Sequence, residues 1–251
     1  MNRDEYLKLA QVEDQMWYFR ALHAHVDDAL GADEIVTRRV LDAGCGTGGL
    51  IRRLAAKRNN LTWTGLDVEP LAVTMARERT AGSGAEIREG SVTALPWFDG
   101  YFDAVVSADV LYHLEHDTAA LREFFRVLKP GGLVVINVPA YPWLWSYHDV
   151  ATHAKRRYGR ADLLKKIRAA GFLAAEARHW NSFPLPLVIL RRKFLPAPQG
   201  GSDVHILPAP VEAIFNLGMA LERTAMRAGA RMPWGSSLLA VARKPGGKNQ
   251  L

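Results

Sequence analysis

The chain holds one cysteine, Cys45, so it can form no internal disulfide. Long apolar runs are also missing. FPLPLVIL at 183–190 is the longest and contains two prolines. It is far shorter than the roughly 20 residues a bilayer span requires. The opening MNRDEYLKLAQVEDQMWYF is charged and lacks an apolar h-region, which argues against a signal peptide and sets the expectation of a cytoplasmic protein. There is no internal repeat and no low-complexity tract.

An apolar fraction of 49% and a charged fraction of 23% are ordinary for a globular protein. The 251 residues suit one large α/β domain or two small ones, with enough chain for a real core. A net charge of +6 fits an acidic partner such as RNA, an anionic lipid surface or a phosphorylated substrate, without requiring one.

The middle of the chain alternates strand-like and helix-like runs. RRVLDAG (38–44), LTWTGLDV (61–68), EIREG (86–90), YFDAVVSADV (101–110), LVVINVP (133–139), LAAEARHW (173–180) and SSLLAVARK (236–244) read as strands. LIRRLAAKR (50–58), PLAVTMARERTA (70–81), TAALREFFRVLK (118–129) and RADLLKKIRAAGF (160–172) read as helices, the third ended by Pro130-Gly131-Gly132. Such alternation predicts an α/β fold, a mostly parallel sheet with helices on both faces. Ligands then bind at the carboxyl ends of the strands. Two stretches break the pattern. Residues 140–159 are rich in Trp, Tyr and His, and residues 181–235 contain one amphipathic helix at 210–229. Long connections of this kind are often functional lids.

VLDAGCGTGGL (40–50) places glycines between a strand and a helix. Glycine lets the backbone approach a ligand and take positive φ, and the helix N-terminus offers free N–H groups. Gly44-x-Gly46-x-x-Gly49 alone also satisfies a dinucleotide pattern. Asp42 tilts the reading, because a carboxylate repels a pyrophosphate and attracts an ammonium or sulfonium. Asp67, 25 positions on in GLDVEP, can accept hydrogen bonds from both ribose hydroxyls of NAD or of any adenosine ligand. Cys45 reads as a space-filling member of the loop rather than a nucleophile.

VLDAGCGTGG, GLDVEP, EGSVTALPWFDGYFDAVVSADVLYHL (89–114) and RVLKPGGLVVINVP (126–139), in this order, resemble the linked motifs of the class I S-adenosylmethionine-dependent methyltransferases. The likeness runs over roughly residues 38–140, within that family to the bacterial small-molecule group of types 11 and 12. It implies a Rossmann-like seven-stranded sheet whose last strand runs antiparallel between the fifth and sixth. It also implies one domain over 1–251, with a cofactor-covering helix in 1–30 and a cap insertion at about 181–235. The implied cofactor is S-adenosylmethionine. Asp42, Gly44, Cys45, Gly46 and Gly48 would cradle its methionine part, Asp67 its ribose, and Val68 its adenine. Ser91 and Val92 would edge the adenine ring, where many relatives carry an Asp. Ala108, with Asp109, would lie beside the sulfonium, and Arg20 would pair with the methionine carboxylate.

Methyl transfer needs a positioned acceptor and, for a hydroxyl or protonated amine, a base. The candidate bases are His148, His153 and His113. Arg156 and Arg157 suit an acidic or polyhydroxylated acceptor, and Trp145, Tyr147 and Tyr158 complete the loop around it. No metal site is expected. The 210–229 helix reads first as a cap, with Val211, Ile214, Phe215, Leu217, Leu221 and Met226 largely on one side. A homodimer surface or a peripheral lipid contact beside Arg191-Arg192-Lys193 stays open. The expected function is methylation of a small molecule, sugar-containing or natural-product-like, at O, N or C. The alternatives are an RNA methyltransferase and a catalytically silent cofactor-binding subunit. The first lacks an RNA-binding module, and NVPA at 137–140 does not match an NPPY tetrapeptide.

Overall fold

The computed structural model describes residues 3–31, 38–197 and 203–246. Two helices lead in, α1 (Arg3–Val12) and α2 (Trp17–Leu30). The alternating part follows as β1 (Arg38–Ala43), α3 (Gly49–Ala55), β2 (Leu61–Asp67), α4 (Pro70–Arg79), β3 (Glu86–Glu89), β4 (Phe102–Ala108), α5 (Asp117–Val127) and β5 (Leu128–Pro139). After it come α6 (Tyr147–Ala151), α7 (Arg160–Ala169), β6 (Leu173–Trp180), α8 (Leu185–Phe194), α9 (Ala209–Arg227) and β7 (Ser237–Arg243).

The strands form a seven-stranded sheet in the order β3-β2-β1-β4-β5-β7-β6. β1 pairs in parallel with β2 and β4, and β7 pairs antiparallel with both β5 and β6. The central strands are apolar over Val40–Leu41 of β1, Ala104–Val106 of β4 and Leu133–Ile136 of β5, where both faces are covered. Side chains alternate across the sheet. Val105 and Val134 pack with Leu121 and Phe124 of α5 and Leu163 of α7. Val40, Val106 and Val135 pack on the opposite side with Val26 of α2 and Ile51 of α3. The apolar positions of both layers are fully or almost fully buried.

Three expectations are corrected. Pro130-Gly131-Gly132 does not separate helix from strand. α5 ends at Val127, and β5 begins at Leu128 opposite Phe102, with an irregularity before Ala104 meets Leu133. Gly131 supplies the positive φ of 80° that this bulge needs, and its N–H donates to Lys244 O at 3.0 Å. Second, the apolar run at 183–190 enters a helix, α8. Its prolines sit at the N-cap and in the first turn, where the missing N–H costs nothing. Third, α9 does not bury all its apolar residues. Phe215, Met219 and Met226 face inward with Glu212 and Glu222, while Ile214, Leu217 and Leu221 are exposed.

Both buried glutamates of α9 hold other segments by their amides. Glu212 accepts from Trp17 N at 3.0 Å, at the start of α2, and from Leu207 N at 3.0 Å. Glu222 accepts from Ser182 N at 2.9 Å and Phe183 N at 3.0 Å, in the turn that leads into α8. α9 thereby ties the two covering segments to the sheet.

Candidate active site

A cavity of about 630 Å³ opens at the carboxyl ends of the strands. Asp42, Asp67, Ala108 and Pro139 from β1, β2, β4 and β5 line its floor. Tyr6 of α1, Trp17 and Phe19 of α2, and Leu187 and Val188 of α8 cover it.

The glycine loop forms one end. Gly44, Gly46 and Gly48 have φ of 90°, 51° and 82°. A Cβ on Gly44 would lie 2.3 Å from a methyl of Val110, so this position excludes every side chain. The N–H groups of Gly44 and Cys45 donate to Leu66 O at 2.7 and 3.0 Å. Asp67 accepts from Gly46 N at 2.8 Å with one oxygen and from Glu69 N at 3.0 Å with the other. Burial raises the Asp67 carboxyl above the usual range against these amides. Asp42 is almost completely buried, and its pKa is pushed up to about 8 by burial first, then by the nearby Asp67 and Glu13. Cys45 is buried in the loop, and its thiol is raised by burial.

Glu13 is a site residue the sequence did not reveal. It accepts from Thr47 Oγ1 and from the Arg79 guanidinium, and Arg79 also reaches Asp14 at 2.9 Å. These bonds clamp the α1–α2 connection onto the glycine loop. The loop shows its glycines in any reading, but the carboxylate arrives from 34 positions upstream of Thr47 without local periodicity.

The opposite end carries a second polar network. Asp109, at a left-handed φ of 57°, accepts from Tyr18 OH at 2.8 Å and from Asn137 Nδ2 at 2.8 Å. Trp180 Nε1 donates to Asn137 Oδ1 at 2.7 Å, and its ring stacks on Tyr18 with centroids 5.4 Å apart. Burial lifts Asp109 to about 6, opposed by the two hydrogen bonds it accepts. The network joins α2, β5 and β6 to the end of β4. Tyr18, Asn137 and Trp180 were also missed.

A third wall comes from α6 and its surroundings. Asp149 closes a capping box with Ser146 and accepts from Arg157 Nε at 2.7 Å, while Arg157 also donates to Ala140 O at 2.9 Å. His148 Nδ1 accepts from Asp203 N at 3.1 Å. Its imidazole proton is therefore on Nε2, and the ring faces the cavity as a donor rather than a base. Burial holds its pKa near 3, with Arg192 adding to the shift. Asp203 is gripped by Arg192 at 2.8 Å and by Tyr147 OH at 2.7 Å.

Of the expected cofactor residues, Asp42, Gly44, Cys45, Gly46 and Asp67 line the cavity together with Val68, Ser91, Val92 and Ala108. Gly48 and Arg20 do not. Gly48 instead takes the left-handed turn that starts α3. Of the histidines, His113 and His148 line the cavity and His153 does not. His153 has φ of 55° and is exposed, because α6 ends at Ala151 and the chain turns away. His113 Nδ1 has no hydrogen-bond partner, and burial lowers its pKa to about 4. Arg157 lines the cavity, whereas Trp145, Tyr147, Arg156 and Tyr158 do not. Arg156 reaches Glu115 O at 2.7 Å and Asp117 at 3.4 Å, and Tyr158 OH donates to Asp117 at 2.7 Å. Both belong to a structural knot on α5. Among the described residues no helix is long and apolar enough to cross a membrane.

Residues 41–136 match the family model described as a methyltransferase domain. A demethylmenaquinone methyltransferase of Thermus thermophilus is 38% identical over 132 residues, covering 51% of this chain and 57% of its own length. A 24-methylenesterol C-methyltransferase of Oryza sativa subsp. japonica is 34% identical over 149 residues, covering 56% of this chain and 40% of its own length. The chain thus spans about half the length of the relatives it matches. A chain from the complex of the Haloferax volcanii Trm112 methyltransferase activator with a methyltransferase has the same fold, with a TM-score of 0.64 at 22% identity over 98% of this chain and 100% of that one.

Proposed function

We propose that this protein is a class I S-adenosylmethionine-dependent methyltransferase that methylates an apolar small molecule, a reading the match of residues 41–136 to the methyltransferase-domain model supports. One observation carries the reading. A single cavity joins an acidic cradle at the glycine loop to a wall of Trp17, Phe19, Leu22, Leu187, Val188 and Phe215. The names of the two relatives denote a quinone precursor and a sterol, both largely apolar.

The residues of the cradle fit the cofactor. Gly44 and Gly46 line the cavity without side chains, and the Asp42 and Asp67 carboxyls suit a cationic group and a pair of ribose hydroxyls. When bound, S-adenosylmethionine supplies an electrophilic methyl group on a sulfonium. Asp42 and Asp67 would hold it, and Tyr6 and Trp17 would exclude water above it. His113 lines the cavity and is held neutral by burial, and His148 would donate from Nε2 to an acceptor oxygen. Asp109, fixed by Tyr18 and Asn137, positions the acceptor between them.

The test supplies methyl-labelled S-adenosylmethionine with quinol, sterol, sugar and tRNA acceptors. Label is expected in organic-extractable product. Label confined to sugar or tRNA would contradict the reading. His148→Ala should raise KM for the acceptor by about tenfold, the scale of one lost hydrogen bond, while His153→Ala leaves it unchanged.

A further inference from the structure

α8 has two different faces. Leu185 is buried, and Val188 and Arg192 line the cavity. The outward face carries Leu187, Leu190 and Phe194, exposed by 54%, 49% and 74%, at the i, i+3, i+7 spacing of one stripe. At about 100° per residue, Arg191 falls on one edge of that stripe and Lys193 on the other. Arg191 lies over the Tyr147 ring at 5.5 Å, and the exposed Lys193 donates to Trp145 O at 2.9 Å. The second contact brings Trp143 and Trp145, exposed by 53% and 38%, next to the helix.

Soluble proteins rarely leave so many large apolar groups together in water. Charge identifies what covers them. Arg192 is paired with Asp203 and faces the cavity, which leaves Arg191 and the exposed Lys193 as the cations that edge the stripe. A second copy of the same face would set cation against cation, so self-association is disfavoured. An apolar stripe edged by cations, with tryptophans beside it, suits the boundary of an anionic bilayer, where stems lie on acyl chains and charged heads reach the phosphates.

We propose that α8 and the Trp143–Trp145 turn form a docking face for an anionic lipid bilayer. Leu187 both lines the cavity and is half-exposed, so the cavity mouth opens on that face. The inference rests on the reading of the cavity as a site for an apolar acceptor, which then enters from the membrane without crossing water.

The experiment is flotation of the full chain with vesicles of phosphatidylcholine alone, or with about 30% phosphatidylglycerol, where each basic residue near the surface adds appreciably to binding. The chain is expected to float with the anionic vesicles, and less so as salt rises. Leu190→Glu with Phe194→Glu should reduce partitioning at least tenfold. Lys193→Glu alone, at a fully surface position, should reduce it by about tenfold. No flotation, equal flotation with neutral vesicles, or partitioning unchanged in both variants overturns the proposal. Calorimetric titration of the same samples with S-adenosylmethionine reports folding and keeps the two readings apart. Vesicle binding can fail while cofactor binding stands, which removes the docking face alone. Cofactor binding can fail in wild type while vesicles bind, which removes the methyltransferase reading.

Discussion

At the scale of single residues, Asp42 makes the sharpest demand. Its pKa of about 8 in the fold lies far above the 3.8 of a free carboxyl. Between those values the folded protein binds a proton that the unfolded chain lacks, so Asp42 stabilises the fold at acid pH and loses that contribution as pH rises toward 8. A cationic ligand favours the ionised form. S-adenosylmethionine binding at neutral pH should therefore release a proton, and affinity should rise from about pH 6 to 8. Calorimetry in two buffers of different ionisation enthalpy measures the release directly. Asp42→Asn should abolish it and weaken binding at least tenfold. Affinity that falls with pH would show that Asp42 does not face the cation. Asp42, Asp67 and the loop glycines were legible because the motif is short and its chemistry local. Glu13, Tyr18, Asn137 and Trp180 were not, since each reaches the site across a long chain separation that only the packed sheet and its covering helices close. His153 looked equivalent to His148 in the sequence, and the end of α6 at Ala151 separates them.

At the scale of elements, α8 and α9 show where periodicity runs out. The 210–229 segment has the helical period, yet it carries apolar residues on two arcs. The period identifies the helix without telling which arc is inside. The buried arc includes Glu212 and Glu222, because they satisfy amides that would otherwise be orphaned. Glu222→Ala should accordingly destabilise the protein by about 2–4 kcal/mol, since it leaves the Ser182 and Phe183 amides without their acceptor. Glu222→Gln should cost less. Thermal unfolding of both checks this, and a stable Glu222→Ala variant would mean that water replaces the carboxylate. α8 is the helix of 181–235 that the sequence did not reveal, and its prolines are benign at the N-cap and in the first turn.

At the scale of the whole molecule, the strands were legible to within a residue or two at most ends, the central ones because burial on both faces writes apolar runs and the edge strands β3 and β6 from their place in the alternation. β5 is the exception, with its early start across the bulge. The strand order was not contained in any run. The likeness of linked motifs implied only that the last strand lies antiparallel between the fifth and sixth, and β7 is placed there. That order brings Asp42, Asp67, Asp109 and Asn137 to one edge from four strand ends, and two N-terminal helices close over them.

The most direct measurement of the central claim is parallel calorimetric titration of the purified chain with S-adenosylmethionine, S-adenosylhomocysteine, NAD and NADP. The geometry at Asp42 predicts micromolar binding of the two sulfur ligands and none of the dinucleotides. Binding of NAD or NADP without the sulfur ligands would contradict the account at its foundation.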